Sequence, residues 1–162
     1  MPRFLIKTGY ACNNNCVFCH ARPKRQNPEL SFSEVKNKIL MAKNLGADMI
    51  VLSGGEPTIR KDALDMAKFI CSNGLSLGLI TNGRMLWHRS FCDKLYNNGL
   101  RYAYISLHGP EECHNALTRT NGFSQTILGI SNASKLEGLE LVVNCVVTKQ
   151  NMIRLNEVVD IV

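Results

Sequence analysis

Three cysteines near the amino terminus constrain this chain more than any other feature. Cys12, Cys16 and Cys19 form the pattern Cys-x-x-x-Cys-x-x-Cys within eight residues. A cubane iron–sulfur cluster is usually held by four cysteine thiolates, and no fourth cysteine lies nearby in the sequence. Three thiolates would leave one iron without a protein ligand. An open coordination position is the feature that separates catalytic from structural metal sites.

Other uses of the cysteines are open at this point. Cys16 to His20 read Cys-Val-Phe-Cys-His, which is also the pattern for attaching c-type haem. A structural zinc ion would need four ligands, and His20 is awkwardly placed to be the fourth. A redox-active Cys-x-x-Cys pair is a third alternative, but it gives Cys12 no role. The spacing favours an iron–sulfur cluster over all three.

The composition is that of one globular domain, which we expect to span residues 1–162. Apolar residues make up 45% of the chain, and no apolar run has the length of a membrane span or an export signal. Seven cysteines are an odd number, which argues against a secreted disulfide framework and favours the cytoplasm. Four of them lack ligand spacing and are expected to be small buried side chains: Cys71, Cys92, Cys113 and Cys145.

The formal net charge is +6, from 19 basic and 13 acidic residues. Arg22, Lys24 and Arg25 follow the third cysteine directly. Such a loop would attract an anionic substrate or the acidic face of a reductase, although a merely solvated loop has the same composition. The charge permits a nucleic-acid partner, but no stripe of basic and aromatic residues supports one.

Short apolar runs alternate with helical patterns along the chain. The runs are rich in Ile, Leu, Val and Tyr and mostly lack alternation with polar residues, which predicts strands buried on both faces of a parallel sheet. The predicted strands are Phe4–Lys7, Met49–Leu52, Leu75–Ile80, Tyr102–Leu107 and Leu139–Val147. Ser31 and Glu34 form a capping box before the first helix, which Gly46 ends. Further helices are predicted from Asp62 to Gly74, around Phe91 and Leu95 up to Gly99, over 124–137 up to Gly138, and from near Asn151. The Asp62 side chain can cap the first of these.

Polar motifs follow the successive predicted strands. In a βα array the catalytic groups gather at the carboxyl ends of the strands, so we expect these motifs to form one site. They are the cysteine loop, Ser53-Gly-Gly-Glu-Pro-Thr58, Thr81-Asn-Gly83, Ser106-Leu-His-Gly109 and, on the fifth strand, Asn144.

Gly54 and Gly55 are consistent with a plain tight turn or with a turn whose backbone closely approaches a ligand. The ligand hypothesis predicts that a branched side chain at Gly55 weakens ligand binding without disturbing a metal site. Pro57 stiffens the turn and removes a donor. Glu56 would either hold the turn or accept a hydrogen bond from a bound ammonium group.

Together, the cysteine motif and Ser53-Gly-Gly-Glu-Pro-Thr58 resemble the radical S-adenosylmethionine (radical SAM) enzymes, in particular those that make molybdenum cofactor or modify peptides. The resemblance covers nearly the whole chain in element order. It implies an α/β fold, a partial TIM-like barrel of mostly parallel strands. The family core has six βα units, and about five are visible here. We therefore expect the chain to be truncated, or closed by something outside it, with an unpaired edge at the fifth strand.

The resemblance also implies roles for individual residues. Cys12, Cys16 and Cys19 would ligate a 4Fe–4S cluster, and the amine and carboxylate of SAM would fill its open iron. The implied SAM-binding residues are Phe18 beside the adenine, Gly54, Gly55 and Glu56 at the methionyl amine, Ser106 and Asn144 on the fourth and fifth strands, and Arg119 at the carboxylate. His108 stands where many relatives have Asp, and a packed histidine is favoured over an acid or base there.

The implied activity is that of a radical SAM enzyme. A reduced cluster would cleave SAM to methionine and a 5′-deoxyadenosyl radical, which abstracts hydrogen from a substrate that the sequence does not identify. The step needs no protein base, so no catalytic acid or base is predicted. An electron donor such as flavodoxin or ferredoxin and a small-molecule or peptide substrate are the expected partners. The alternatives are an inactive cluster-binding fragment and an RNA-modifying radical SAM protein.

Overall fold

A computed structural model describes residues 2–162 of the chain. Five parallel strands form one sheet in the sequential order β1-β2-β3-β4-β5. The strands are β1 Arg3–Lys7, β2 Met49–Ser53, β3 Ser76–Thr81, β4 Leu100–Ser106 and β5 Glu140–Asn144. The helices are α1 Phe32–Asn44, α2 Ala63–Ser72, α3 Arg89–Asn97, α4 Glu111–Thr118, α5 Phe123–Ser134 and α6 Leu155–Ile161. The predicted parallel α/β architecture of about five βα units is therefore confirmed.

The sheet curls, so that its two outer strands approach each other at the amino-terminal end. Arg3 of β1 donates a hydrogen bond to the Glu140 carboxylate of β5 at 2.7 Å, and the Arg3 guanidinium lies 4.5 Å from the centre of the Tyr102 ring. Both side chains of the ion pair are about half exposed, which makes the pair worth little stability by itself. Its position shows the barrel-like curvature of the sheet.

The hydrophobic core lies between the sheet and the helices. Residues of the central strands, among them Ile50, Leu77 and Ile105, are fully buried against helix residues such as Ile39 and Ile70. Burying such side chains is the main favourable term in folding. The core fixes the strands, and the strands fix the positions of the loops at their carboxyl ends. None of the helices in residues 2–162 combines the length and apolar character that crossing a membrane requires.

The local signals for helix ends are confirmed in most cases. Ser31 and Glu34 form the predicted capping box, in which each side chain accepts from the other residue's backbone amide. The glycines that follow α2, α3 and α5 have the positive φ that helix exits of this type need, with values of 76°, 88° and 68° at Gly74, Gly99 and Gly138.

Several details differ from the sequence predictions. Helix α4 had not been predicted. The Asp62 side chain does not cap α2, because it pairs with Arg60 at 2.8 Å instead. Strand β5 is shorter than predicted, and a 3-10 turn at Met152–Arg154 precedes α6. Of the scattered cysteines, Cys92 and Cys113 are buried as expected, but Cys145 is only partly buried and Cys71 is exposed.

Candidate functional site

The polar motifs meet around one cavity at the carboxyl ends of the strands, as the sequence predicts. The cavity has a volume of about 330 Å³. Its wall includes residues from the carboxyl ends of strands and from the loops after all five strands: Cys12, Asn14, Cys16, Phe18, Cys19, His20, Arg25, Ser53, Gly54, Gly55, Ile80, Thr81, Asn82, Ser106, His108 and Val146. A second cavity of about 400 Å³ lies beside β1 and α1, away from the cysteines.

The three cysteines of the motif all line the cavity and are partly exposed to it. Within residues 2–162, no three Cys, His, Asp or Glu side chains converge as the ligands of a single metal ion do. A cubane cluster binds each thiolate through a different iron, so its ligands need not converge on one point. Three thiols on one loop, facing one cavity, are a donor set that suits such a cluster.

Burial keeps the thiols of Cys12 and Cys16 protonated in the metal-free protein. Burial raises the pKa of Cys12, and it raises the pKa of Cys16 to about 11, with the neighbouring Cys12 and Cys19 adding to the effect. A metal ligand must be a thiolate, so binding of iron would release these protons.

The cysteine loop is held at its start by an ion-pair network in which Arg60 is largely buried and Glu29 is exposed. Glu29 accepts hydrogen bonds from the amides of Tyr10 and Ala11 at 2.7 and 2.8 Å. Arg60 donates to Glu29 at 3.1 Å and to the carbonyl oxygens of Thr8 and Leu30, both at 2.9 Å. The Arg60 side chain is only 11% exposed, so these charge-assisted bonds are stronger than surface pairs. They fix the backbone immediately before Cys12.

The middle of the cysteine loop is bound to the end of α4. The amides of Asn15 and Val17 donate to the carbonyl oxygens of Thr118 and Leu117, both at 2.9 Å. The last carbonyls of a helix have no partner within the helix, and the loop supplies those partners. The helix ends at Arg119, the only non-glycine residue with positive φ among the described residues, at 52°.

Arg84, after β3, holds the cysteine loop from a third side. Its guanidinium donates to the Asn13 carbonyl at 2.6 Å and to the Asn14 side chain at 2.9 Å. It also donates to Gln125 of α5 at 2.6 Å. Arg25 donates to the Asn14 carbonyl as well. Positive charge is therefore concentrated around the loop that carries the thiols.

The two glycines after β2 let the cysteine loop pack against the turn. The Gly55 amide donates to the Gly9 carbonyl at 2.9 Å. A Cβ atom on Gly55 would lie 2.1 Å from the Ala11 carbonyl oxygen, and one on Gly54 would lie 2.2 Å from that of Gly9. Gly54 also has a φ of 135°. The approach of a ligand to these glycines, which the resemblance implies, stays a prediction, and at Gly55 the backbone of the cysteine loop is also in close contact.

Glu56 lies behind the cavity wall, 2% exposed, and holds the loops after β2 and β3 together. One carboxylate oxygen accepts from the Thr58 amide, the Thr58 hydroxyl and the Thr81 hydroxyl at 3.1, 2.6 and 2.7 Å. The other accepts from the Asn82 amide at 2.7 Å. Burial raises the pKa of Glu56, while the bonds from Thr58, Asn82 and Thr81 lower it. Of its two expected roles, the structure shows that of holding the turn.

Phe18 and His108 form one side of the cavity. The edge of one ring faces the other, with centroids 4.9 Å apart. His108 is 2% exposed, accepts a hydrogen bond from the Val146 amide at 3.2 Å and stacks on His114 at 5.6 Å. Burial lowers the pKa of His108 to about 4, so the ring is neutral near pH 7. The packed histidine that the sequence favoured is the arrangement observed.

The remaining predicted residues lie at different distances from the cavity. Ser106 lines it. Asn144 is paired with Ser106 in the register of β4 and β5, and its side chain accepts from the Tyr104 hydroxyl at 2.8 Å. Arg119 is exposed at the end of α4, and neither it nor Asn144 belongs to the cavity wall described above.

Sequence reasoning missed the residues that support this site. Glu29, Arg60, Arg84 and Asn151 all bind backbone groups of distant loops, and a polar residue in a loop gives no local sign of such a partner. Asn151 is fully buried and donates to the carbonyls of His108 and Val146, both at 2.9 Å. A polar side chain this buried is expected to be hydrogen-bonded, but the sequence does not show its burial.

Known proteins are similar in sequence to most of this chain. The profile of the Radical SAM superfamily matches residues 6–162. An Fe-coproporphyrin III synthase from Methanosarcina barkeri is 33% identical over 144 residues, which are 87% of this chain and 36% of that protein. A probable GTP 3′,8-cyclase from Thermococcus kodakarensis is 33% identical over 127 residues, 76% of this chain and 41% of that protein. The chain spans less than half the length of either relative.

Solved structures share the fold at lower sequence identity. Streptococcus suis SuiB bound to the precursor peptide SuiA superposes with a TM-score of 0.80 at 20% identity, covering 99% of this chain and 36% of SuiB. The structure of anSMEcpe with bound AdoMet and the Cp18Cys peptide superposes with a TM-score of 0.79 at 22% identity, covering 99% of this chain and 47% of that one. These similarities show a common architecture.

Proposed function

The chain belongs to the radical SAM superfamily, and on that basis we propose that it is the cluster-binding and SAM-binding part of a radical SAM enzyme. Cys12, Cys16 and Cys19 hold a 4Fe–4S cluster in this proposal, and SAM completes the fourth iron. One observation carries the proposal: the three cysteines line the same cavity as Ser53, Gly54 and Gly55. A ligand of the open iron would therefore lie against that turn.

When bound, the cluster and SAM supply one-electron cleavage of SAM and abstraction of hydrogen from a C–H bond. The protein's part is binding and orientation. The Gly54–Gly55 turn presents backbone groups to the methionyl end of SAM. Phe18 offers an aromatic edge beside the adenine, and Ser106 offers a hydroxyl from β4. We also propose that Asn144, Arg119 and Glu56 contribute to SAM binding. Each would do so by holding in place the strand, helix end or loop to which it belongs.

The walls of the cavity suit chemistry that water would disturb. His108 is neutral near pH 7 because burial lowers its pKa to about 4. It therefore contributes an uncharged surface beside Phe18, with no mobile proton on the Nδ1 atom, which accepts the Val146 amide hydrogen. This side of the cavity therefore places no charge beside the reactive groups.

The residues of this chain do not identify the substrate or the electron donor. A small molecule or a peptide is the proposed substrate, since relatives carry names of small-molecule enzymes and one neighbour was solved with a precursor peptide. Flavodoxin or ferredoxin is the proposed donor. Arg22 and Lys24 are exposed beside the cavity loop and would attract the acidic face of such a protein. We place the reaction in the cytoplasm, where thiols are kept reduced.

Anaerobic reconstitution with iron and sulfide tests the proposal. The protein should bind about four irons and four sulfides per chain and, with dithionite and SAM, release 5′-deoxyadenosine. Cys12→Ala, Cys16→Ala and Cys19→Ala should each abolish the cluster, whereas Cys71→Ala, at an exposed cysteine away from the cavity, should keep it. Tight binding of zinc without iron, or a haem spectrum, would contradict the proposal.

A further inference from the structure

Asn82 lies at the end of β3 in the wall of the cavity, and its side chain is held in a single orientation. The residue is 9% exposed. Its side-chain oxygen accepts from the Arg84 amide at 3.0 Å, which is an Asx turn. Since an amide N–H can only donate, the oxygen of Asn82 must face Arg84 and the NH2 group must face the other way.

The NH2 group of Asn82 faces the cysteine loop. It donates to the Asn13 side-chain oxygen at 2.7 Å and lies 3.9 Å from Cys12 Sγ. This separation is long for an oxygen acceptor, but sulfur is larger and accepts over greater distances. The Asn14 amide approaches the same sulfur at 3.4 Å. Two N–H groups are therefore directed at Cys12, one from the loop itself and one from β3.

The backbone of Asn82 is also held in place by hydrogen bonds to buried side chains. Its amide donates to buried Glu56 at 2.7 Å, and its carbonyl accepts from the Thr126 hydroxyl at 3.1 Å. Thr126 is fully buried in α5. With both backbone groups and the side chain engaged, Asn82 cannot turn its NH2 group away from Cys12 without breaking several buried hydrogen bonds.

We propose that Asn82 is a positioning residue for the cluster, donating an N–H hydrogen bond to the Cys12 sulfur and thereby raising the cluster's reduction potential. The inference rests on the proposed function, in which Cys12 is a ligand. Reduction adds one electron, taken from an external donor that is oxidised, and neither a bond nor a proton changes. A donor directed at a ligand sulfur stabilises the more negative, reduced cluster, and hydrogen bonds to the sulfurs are known to set such potentials.

Two substitutions separate this role from support of the fold. Asn82→Asp keeps the size of the side chain and the turn to Arg84, but it replaces the N–H donor by an anionic oxygen near Cys12. Asn82→Ser also retains an acceptor for the Arg84 amide, and its shorter side chain removes the NH2 group from the vicinity of Cys12 without adding charge. Thr126→Val is the matched control, because it removes a hydrogen bond to the backbone of Asn82 and leaves the NH2 group in place.

The measurement is a reductive titration of the reconstituted cluster, with iron content and thermal unfolding of the metal-free protein recorded in parallel. At a fixed potential, Asn82→Asp should lower the ratio of reduced to oxidised cluster at least about tenfold, which is about 59 mV for a one-electron couple. Asn82→Ser should shift the potential in the same direction by less. Thr126→Val should unfold at a lower temperature and keep the wild-type potential.

Other outcomes overturn the inference in distinguishable ways. If the wild-type protein assembles a cluster and both Asn82 variants keep its potential, the hydrogen bond to Cys12 has no effect and only this inference fails. If both variants lose iron and their metal-free forms also unfold at lower temperature, Asn82 supports the fold alone. If the wild-type protein assembles no cluster, the proposed function fails together with the inference.

Discussion

A Cβ atom at Gly55 would lie 2.1 Å from the carbonyl oxygen of Ala11, so the turn after β2 and the cysteine loop are packed as one unit. The neighbouring Glu56 amide donates to the same carbonyl oxygen at 2.8 Å. A ligand bound at the turn would therefore contact the same stretch of backbone against which the cysteine loop is packed. The cysteine motif and the Ser53–Thr58 motif, which define the site in the sequence, therefore pack directly against each other, and a shift of one would displace the other.

Replacing Gly55 by Ala should consequently affect both cofactors. The added methyl group must push the backbone before Cys12 away, so the variant should lose most of its iron after reconstitution as well as its affinity for SAM. Iron analysis and equilibrium dialysis with SAM measure the two effects.

Gly138→Ala is the control for that substitution. Gly138 has a positive φ of 68° and open space where a Cβ would stand, so the change should cost about 1–2 kcal/mol of stability and leave iron binding intact. A Gly55→Ala protein with full iron content and weakened SAM binding would show that the turn contacts the ligand independently of the cysteine loop.

Glu56→Gln should destabilise the protein, although it preserves size. The four groups around the carboxylate all donate, so the NH2 group of glutamine would face a donor with no acceptor. Leaving a buried group unsatisfied costs about 1–3 kcal/mol, which urea unfolding would measure. Exposed Glu111→Gln, at the start of α4, should change stability little, and equal stability losses in both variants would contradict the role assigned to Glu56.

The parallel sheet and the cysteine site could be predicted from sequence because their signals are local. Mostly apolar runs define β2 and β3, and three cysteines on one loop require no knowledge of distant residues. The position of the site followed from the rule that loops after parallel strands share one edge. Helix α4 escaped prediction because its buried face consists of Cys113, His114, Leu117 and Thr118, which does not read as an apolar stripe.

The residues that hold the site in place could not be identified from the sequence, because their hydrogen-bond partners are distant in the chain. Arg60 has Asp62 two residues away, yet it also reaches Glu29 and the Thr8 carbonyl. Because the Asp62 carboxylate is bound to Arg60, it does not cap α2. Arg84 follows a recognisable turn, but its contacts to Asn13 and Asn14 span about 70 residues of sequence.

Stability should fall as the pH is lowered, because of the buried histidine pair. Burial lowers the pKa of both His108 and His114 from 6.5 to about 4. The unfolded chain therefore binds more protons between these values, and stability is present above about pH 6.5 and lost towards pH 4. Each histidine contributes on the order of 3 kcal/mol at most. Denaturant unfolding at a series of pH values measures this slope.

His114→Gln isolates one member of the pair. Glutamine can still accept from the His108 amide, which donates to His114 Nδ1 at 3.2 Å, but it does not titrate. The dependence of unfolding free energy on pH between 6.5 and 4 should then become about half as steep. An unchanged slope would mean that His114 is already solvated or protonated in the folded protein.

Arg84→Lys should loosen the cysteine loop. Lysine keeps the charge but cannot bind Asn13, Asn14 and Gln125 at once, because the planar fork of arginine is lost. We expect a stability loss of about 1–3 kcal/mol and faster loss of iron to a chelator. Arg89→Lys, at an exposed ion pair with Asp93, is the control and should differ little from wild type. Wild-type iron retention in Arg84→Lys would exclude a role for Arg84 in holding the loop.

Electron paramagnetic resonance of the reduced cluster, recorded with and without SAM, tests the central claim most directly. If Cys12, Cys16 and Cys19 hold a 4Fe–4S cluster whose fourth iron is free to bind SAM, the addition of SAM must change the spectrum, and Cys71→Ala must behave as wild type. A cluster whose spectrum is the same with and without saturating SAM would contradict the account, since no iron would then be open to the ligand.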